Sequence, residues 1–172
     1  MTALGESGTA ICMCPSTERA LADGIGPAAA LAAEGCPIAL GTDSHALIDP
    51  LEEARALELD ERLASGKRGR FTTSALLTAA TSAGHEAIGW RGSGRIEPGA
   101  PADLVTVSLS SVRLAGATLE TLLEHVVFSA VAADITDVVI SGRRVVADGR
   151  HQLIDDVAGE LAAAITEVRG PE

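Results

Sequence analysis

Apolar and polar positions alternate in two distinct styles along this chain, and the change of style divides it. In the first half, short continuous apolar runs are separated by alanine- and leucine-rich stretches of helical spacing. Thr9-Ala10-Ile11-Cys12-Met13-Cys14 reads as a buried strand stopped by Pro15, with the polar cluster Ser16-Thr17-Glu18-Arg19 at its exit. A short helix is predicted from Pro27 to Glu34, ended by Gly35, and a second apolar strand, Pro37-Ile38-Ala39-Leu40, runs into Gly41-Thr42-Asp43-Ser44-His45. Asp49-Pro50-Leu51-Glu52 carries a capping residue, a first-turn proline and an acid at the third position, which predicts a helix from Pro50 to Ala64 closed by Gly66. Its spacing turns Leu51, Ala54 and Leu57 toward a core and leaves Glu53, Asp60 and Arg62 to water. A further helix is expected over Thr73 to Ala80, capped by Thr72 or Thr73 and closed by Gly84, before a turn at His85-Glu86-Ala87-Ile88-Gly89. Two strand–helix units in series imply parallel strands joined by crossovers, an α/β arrangement.

Beyond Trp90 the pattern becomes that of an antiparallel sheet. Arg91-Gly92-Ser93-Gly94-Arg95 and Pro98-Gly99-Ala100-Pro101 are turn-rich, and Asp103 to Ser108 alternates as a half-buried strand. Asp137-Val138-Val139-Ile140 and Arg144-Val145-Val146-Ala147 flank Ser141-Gly142-Arg143 as a hairpin, followed by a turn at Asp148-Gly149. Val157, Leu161 and Ile165 have helical spacing behind an acidic start, so a final helix over Asp155 to Val168 is expected to pack back on the body. The expected organisation is residues 1–90, 91–152 and 153–172.

Composition narrows the function classes. The 172 residues are 47% hydrophobic, enough for a real core, and a net charge of −11 argues against nucleic acid or an anionic membrane surface as partner. No apolar run approaches the roughly 20 residues of a membrane helix, and the first residues lack a signal-peptide pattern, so the expectation is a cytoplasmic protein acting on a small molecule. Aromatic content of 2% excludes base- or sugar-stacking platforms. Cys12, Cys14 and Cys36 read as buried thiols rather than a disulfide framework or a structural zinc site. No phosphate-binding loop is present, and Gly92-Ser93-Gly94 has no helix directly behind it, which excludes a dinucleotide fingerprint.

Asp43 is the leading chemical candidate, because in α/β folds chemistry gathers where parallel strands end. A carboxylate there could bind a cation, accept a proton or cap the following helix. Asp49 has its own capping box, six residues later, so capping is the weaker account of Asp43. Ser44 and His45, on the same loop, are candidates for orienting substrate. His85, His125 and His151 are read as packing or surface residues, since no two histidines share strand or helix spacing suited to a metal.

Three segments in order, the strand exit Gly41-Thr42-Asp43-Ser44-His45, the acidic helix Glu52-Glu53-Ala54-Arg55, and Gly94-Arg95-Ile96-Glu97-Pro98-Gly99-Ala100-Pro101-Ala102-Asp103-Leu104-Val105, resemble the amidohydrolase superfamily. Together with Cys14-Pro15-Ser16-Thr17-Glu18, Leu21-Ala22-Asp23-Gly24-Ile25 and Gly84-His85-Glu86-Ala87-Ile88-Gly89-Trp90, the chain looks most like the formimidoylglutamate deiminase family within it, with guanine deaminases and chlorohydrolase-like relatives as the nearest alternative. The resemblance implies the C-terminal part of a metal-dependent (β/α)8 barrel, then part of a β-sandwich and a C-terminal helix, Met1 falling just before the seventh barrel strand. It implies one zinc ion, with Asp43 as both metal ligand and catalytic base, Ser44 and His45 near substrate, and a homo-oligomer in the complete protein. The implied reaction is N-formimidoyl-L-glutamate plus water giving N-formyl-L-glutamate and ammonia. The histidine ligands of that family have no counterpart here, and a barrel takes about 250 residues, so the isolated chain is expected to be inactive. A non-catalytic interaction module is the alternative from another class.

Overall fold

The computed structural model describes residues 1–170, so the last two residues of the expected segment 153–172 lie outside the described residues. In chain order the elements are α1 (Thr2–Glu6), β1 (Ile11–Met13), α2 (Pro15–Leu21), α3 (Ala28–Ala33), β2 (Ile38–Leu40), α4 (Pro50–Ser65), α5 (Thr73–Ala80), α6 (Ser82–Ala87), β3 (Leu104–Val107), α7 (Leu122–Ser129), a single 3₁₀ turn (Ala132–Asp134), β4 (Ile135–Ile140), β5 (Arg143–Ala147), β6 (Arg150–His151) and α8 (Val157–Arg169). β1 and β2 pair in parallel with Ile11 opposite Ile38 and Met13 opposite Leu40. The later strands form one antiparallel sheet in the order β3-β4-β5-β6. The hairpin between β4 and β5 turns on Ser141 and Gly142, both at positive φ (50° and 79°), the geometry of a two-residue turn that follows the twist of the strands.

α4 is the organising element. Asp49 Oδ1 accepts from the backbone N–H of Leu51 and Glu52 at 3.0 and 3.2 Å, which starts the helix, and Gly66 at φ 65° ends it. Around it Met13, Leu31, Ile38, Leu57, Leu76 and Val127 form a core of aliphatic side chains and one methionine, each fully buried aliphatic contributing about 1.5–3 kcal/mol. The reading of Glu53 as water-facing is overturned: Glu53, Glu58 and Glu61 on α4 are 1%, 0% and 6% exposed. α4 is packed by α2, α3, α5, α7 and β2, so its buried arc is far wider than a single-sided helix requires. Each of these carboxylates is matched by donors. Glu61 accepts from Ala29 N–H at 2.7 Å, and Glu58 accepts from Arg62 Nε and from the N–H groups of Gly69 and Phe71 at 2.7, 2.8 and 2.7 Å. Burial alone pushes Glu58 up, but the bonds from Arg62, Phe71 and Gly69 outweigh it and hold its carboxyl below the ordinary range.

Several other expectations are corrected. The polar cluster Ser16 to Arg19 at the exit of β1 lies within a helix, α2, that the sequence pattern does not assign, and His85 to Gly89 belongs largely to α6 and its C-terminal turn. α7 lies in a stretch with no assigned element. It is docked on α4 by Arg55, whose guanidinium donates to the carbonyls of Val127 and Ala130 at 3.0 and 2.5 Å, satisfying acceptors a helix end leaves free. Cys12 is exposed rather than buried. α8 forms where expected, capped by Asp156, yet buries no residue of its own. Val157, Leu161 and Ile165 are 47%, 59% and 43% exposed, so it does not pack back among the described residues.

Asp134 anchors the start of the antiparallel sheet. Arg113 grips it in a bidentate fork (Nε to Oδ2 3.0 Å, Nη2 to Oδ1 2.8 Å) and Val131 N–H adds a third donor at 3.0 Å. The Arg113 guanidinium, with that N–H, holds the Asp134 carboxyl well below the usual carboxylate range. A carboxyl depressed in the folded state contributes stability that is complete above its unfolded value and is lost as pH falls through the folded one. Arg113→Gln is therefore expected to flatten the loss of stability on acidification below about pH 4. Urea midpoints measured from pH 7 down to 3 read this directly, and parallel curves for the two proteins would count against it.

Candidate functional site

The loop leaving β2 is shaped by its partners on α2. Thr17, 2% exposed, donates its hydroxyl proton to the Thr42 carbonyl at 2.8 Å and accepts from Ser44 N–H at 3.1 Å. The Ser44 hydroxyl lies 2.8 Å from Thr17 Oγ1, and because the Thr17 proton is already committed, Ser44 is the donor. His45 N–H closes the turn onto Thr42 O at 3.3 Å. Within this turn Asp43 and His45 both adopt left-handed backbone, at φ 47° and 56°. An aspartate tolerates that region and a histidine does so at some cost, so a network that imposes it twice in three residues marks a constrained loop.

α2 is in turn held by α4. Ser16 donates from both its N–H, at 3.0 Å, and its hydroxyl to the buried Glu53 carboxylate, and Glu18 Oε1 reaches back to the N–H of Cys14 at 2.8 Å. The result is a relay from the core helix through the first turn of α2 to the Asp43 loop. Thr17 and Glu53 were missed in the sequence reading. Pro15 followed three residues later by Glu18 is a legible helix start, and it would have put Thr17 in a first turn beside the strand end.

Asp43 itself is exposed, as are Ser44 and His45. Its charge is felt by Cys14, whose thiol is pushed up to about 12, first by burial, then by Cys12, and further by Asp43 and Glu18. The remaining histidines are occupied locally. His85 and His125 set Nδ1 against the carbonyls of Thr81 and Thr121 at 2.9 and 2.8 Å, and His151 Nδ1 accepts from Leu153 N–H at 3.2 Å. Among the described residues, no group of three or more His, Cys, Asp or Glu side chains converges to hold a metal ion. These residues therefore do not fit a zinc ion by themselves. Asp43 is a single carboxylate at a strand exit, able to accept and release a proton or to act as one ligand of a larger set.

The comparisons with known proteins agree with this architecture. The sequence is 35% identical over 179 residues to formimidoylglutamate deiminase of Pseudomonas aeruginosa, covering 99% of this chain and 38% of that protein. It is 38% identical over 174 residues to 8-oxoguanine deaminase of the same organism, covering 96% of this chain and 36% of that protein. The fold superimposes with a TM-score of 0.83 on an adenosine deaminase from Xanthomonas campestris with bound zinc, at 28% identity over 93% of this chain and 37% of that one. The chain thus spans well under half the length of the relatives it matches. Since the profile of the amidohydrolase family also matches residues 1–145, this α/β chain belongs to the amidohydrolase family, whose members are hydrolytic enzymes.

Proposed function

We propose that this chain supplies the Asp43 end of the active site in a metal-dependent deiminase that hydrolyses N-formimidoyl-L-glutamate to N-formyl-L-glutamate and ammonia. The observation that carries the reading is the doubly left-handed turn that Thr17 locks at the exit of β2, because it presents Asp43 in one fixed direction. In this reaction water adds to the amidine carbon, the bond to the terminal nitrogen breaks, and the nitrogen leaves as ammonia. A carboxylate at a fixed point can take a proton from the attacking water and return one to the leaving nitrogen, a contribution of about 10²–10⁴ in rate. Ser44 and His45, one and two residues further on, contact the substrate in this reading, which the positioning of the Ser44 oxygen by Thr17 supports. Asp43 is one ligand of the zinc ion, whose other ligands come from outside the described residues, and the complete enzyme is a cytoplasmic homo-oligomer.

Identity of 35% to a formimidoylglutamate deiminase supports the substrate assignment. A second reading, deamination of an oxidised purine, is favoured by the 38% identity to an 8-oxoguanine deaminase. The two separate in one assay. The chain is co-expressed in turn with the portion of the Pseudomonas aeruginosa formimidoylglutamate deiminase and of the 8-oxoguanine deaminase that it does not match, loaded with zinc, and ammonia release is followed on N-formimidoyl-L-glutamate and on 8-oxoguanine. Turnover of the amidine alone is expected, and only in the reconstituted protein. Turnover of 8-oxoguanine in its place would move the assignment to the second reading, and metal-dependent ammonia release by the 172 residues alone would sink the requirement for the additional segment.

A further inference from the structure

Cys12 and Cys14 stand two residues apart across the end of β1, and both reach over the same residue, Gly41, just past the end of β2. A Cβ placed on Gly41 would lie 3.1 Å from Cys12 Sγ and 3.2 Å from Cys14 Sγ. Gly41 has no side chain, so the two sulfurs converge on a space that any other residue would fill. Cys12 is exposed and Cys14 half-buried, whereas Cys36 is enclosed in the core at 4% exposure. The third cysteine is thus an internal control for the other two.

Such a pair has three possible chemistries, and geometry separates them. A disulfide is disfavoured, because positions i and i+2 of an extended strand put their Cα atoms about 6.7 Å apart, at the upper edge of the range a sulfur–sulfur bond of about 2.05 Å tolerates. A tetrahedral zinc site needs four ligands, and no group of three or more metal-capable side chains converges among the described residues. What remains is a ligand content with two sulfurs. Soft d¹⁰ cations have that preference, and thiolates select them over harder ions.

We propose that Cys12 and Cys14 form a two-sulfur site for a soft, thiophilic cation of the Cu(I) or Hg(II) kind. Binding replaces two S–H bonds by two metal–sulfur bonds and releases two protons to solvent, with no change of oxidation state. Holding two thiols two residues apart at the junction of β1 and α2 makes the second bond intramolecular, which raises affinity over a single thiol by about 10²–10⁴.

The test uses Hg²⁺ alone as probe on the full chain. Native mass spectrometry is expected to show one mercury per chain with the loss of two hydrogens, and N-ethylmaleimide labelling of Cys12 in the folded protein is expected to stop once the ion is bound. Cys12→Ser and Cys14→Ser should each weaken binding by about a hundredfold or more in competition with glutathione, while Cys36→Ser binds as the parent does. Equal affinity in all three variants, or one mercury shared between two chains, would overturn the proposal. The loss of two hydrogens rather than one per bound mercury on the unmutated chain decides the matter even if a serine variant folds poorly.

Discussion

Asp43→Asn is expected to lower kcat/KM of the reconstituted enzyme by about 10²–10⁴ while leaving its thermal midpoint unchanged. Asparagine keeps the size of the side chain and tolerates the left-handed backbone of position 43, but it carries no charge and accepts no proton. Asp43 takes no part in the core: it is exposed, and the helix that follows is capped by Asp49. Stability and activity therefore separate at this residue. Thr17 sets the contrast, since Thr17→Val removes the donor to Thr42 and the acceptor for Ser44 and lets the loop reorient. A smaller loss of kcat is expected there, restored by Thr17→Ser. An Asp43→Asn enzyme within a few-fold of the parent would show that the carboxylate takes no part in the chemistry.

Glu58→Ala is expected to be the most damaging single change to the fold, costing about 3–5 kcal/mol in urea unfolding. The fully buried Glu58 carboxylate is the acceptor for Arg62 Nε and for two backbone N–H groups, of Gly69 and Phe71, that join α4 to α5. Alanine strands all three donors and opens a cavity. Glu58→Gln keeps one oxygen, enough for the two donors that share Oε1, but turns an amide N–H toward a donor it cannot satisfy, so an intermediate loss is expected. A loss under about 1 kcal/mol for the alanine variant would mean that water replaces the carboxylate at little cost.

The difference between Glu58 and Asp43 explains how far the sequence could be read. Periodicity in residues 50–65 located α4 and both its ends, because Asp49, Pro50 and Gly66 act on their own backbone. The same periodicity assigned Glu53 to water, because a charged side chain is ordinarily exposed and nothing within one helix reveals that Ser16 waits 37 residues away to donate to it. The strand ends and the Ser141-Gly142 turn were legible for the same local reason as the caps. α7 was not, since its place against α4 rests on Arg55 reaching carbonyls more than 70 residues further along the chain.

The candidate site divides in the same way. An apolar strand running into Gly41-Thr42-Asp43 singled out the carboxylate, and the order of motifs pointed to the family before any fold was in view. The left-handed turn, the Thr17 clasp and the support from Glu53 through Ser16 depend on α2 and α4 meeting beside β2. By itself the sequence determined the ends of α4, the Ser141-Gly142 turn and the α/β class and singled out Asp43 as a candidate, because caps, breakers and strand exits are written in neighbouring residues. Only the tertiary structure decided which charges are buried, which loop is clamped and that Cys12 and Cys14 converge on Gly41, because those outcomes depend on donors and open space brought together from distant parts of the chain.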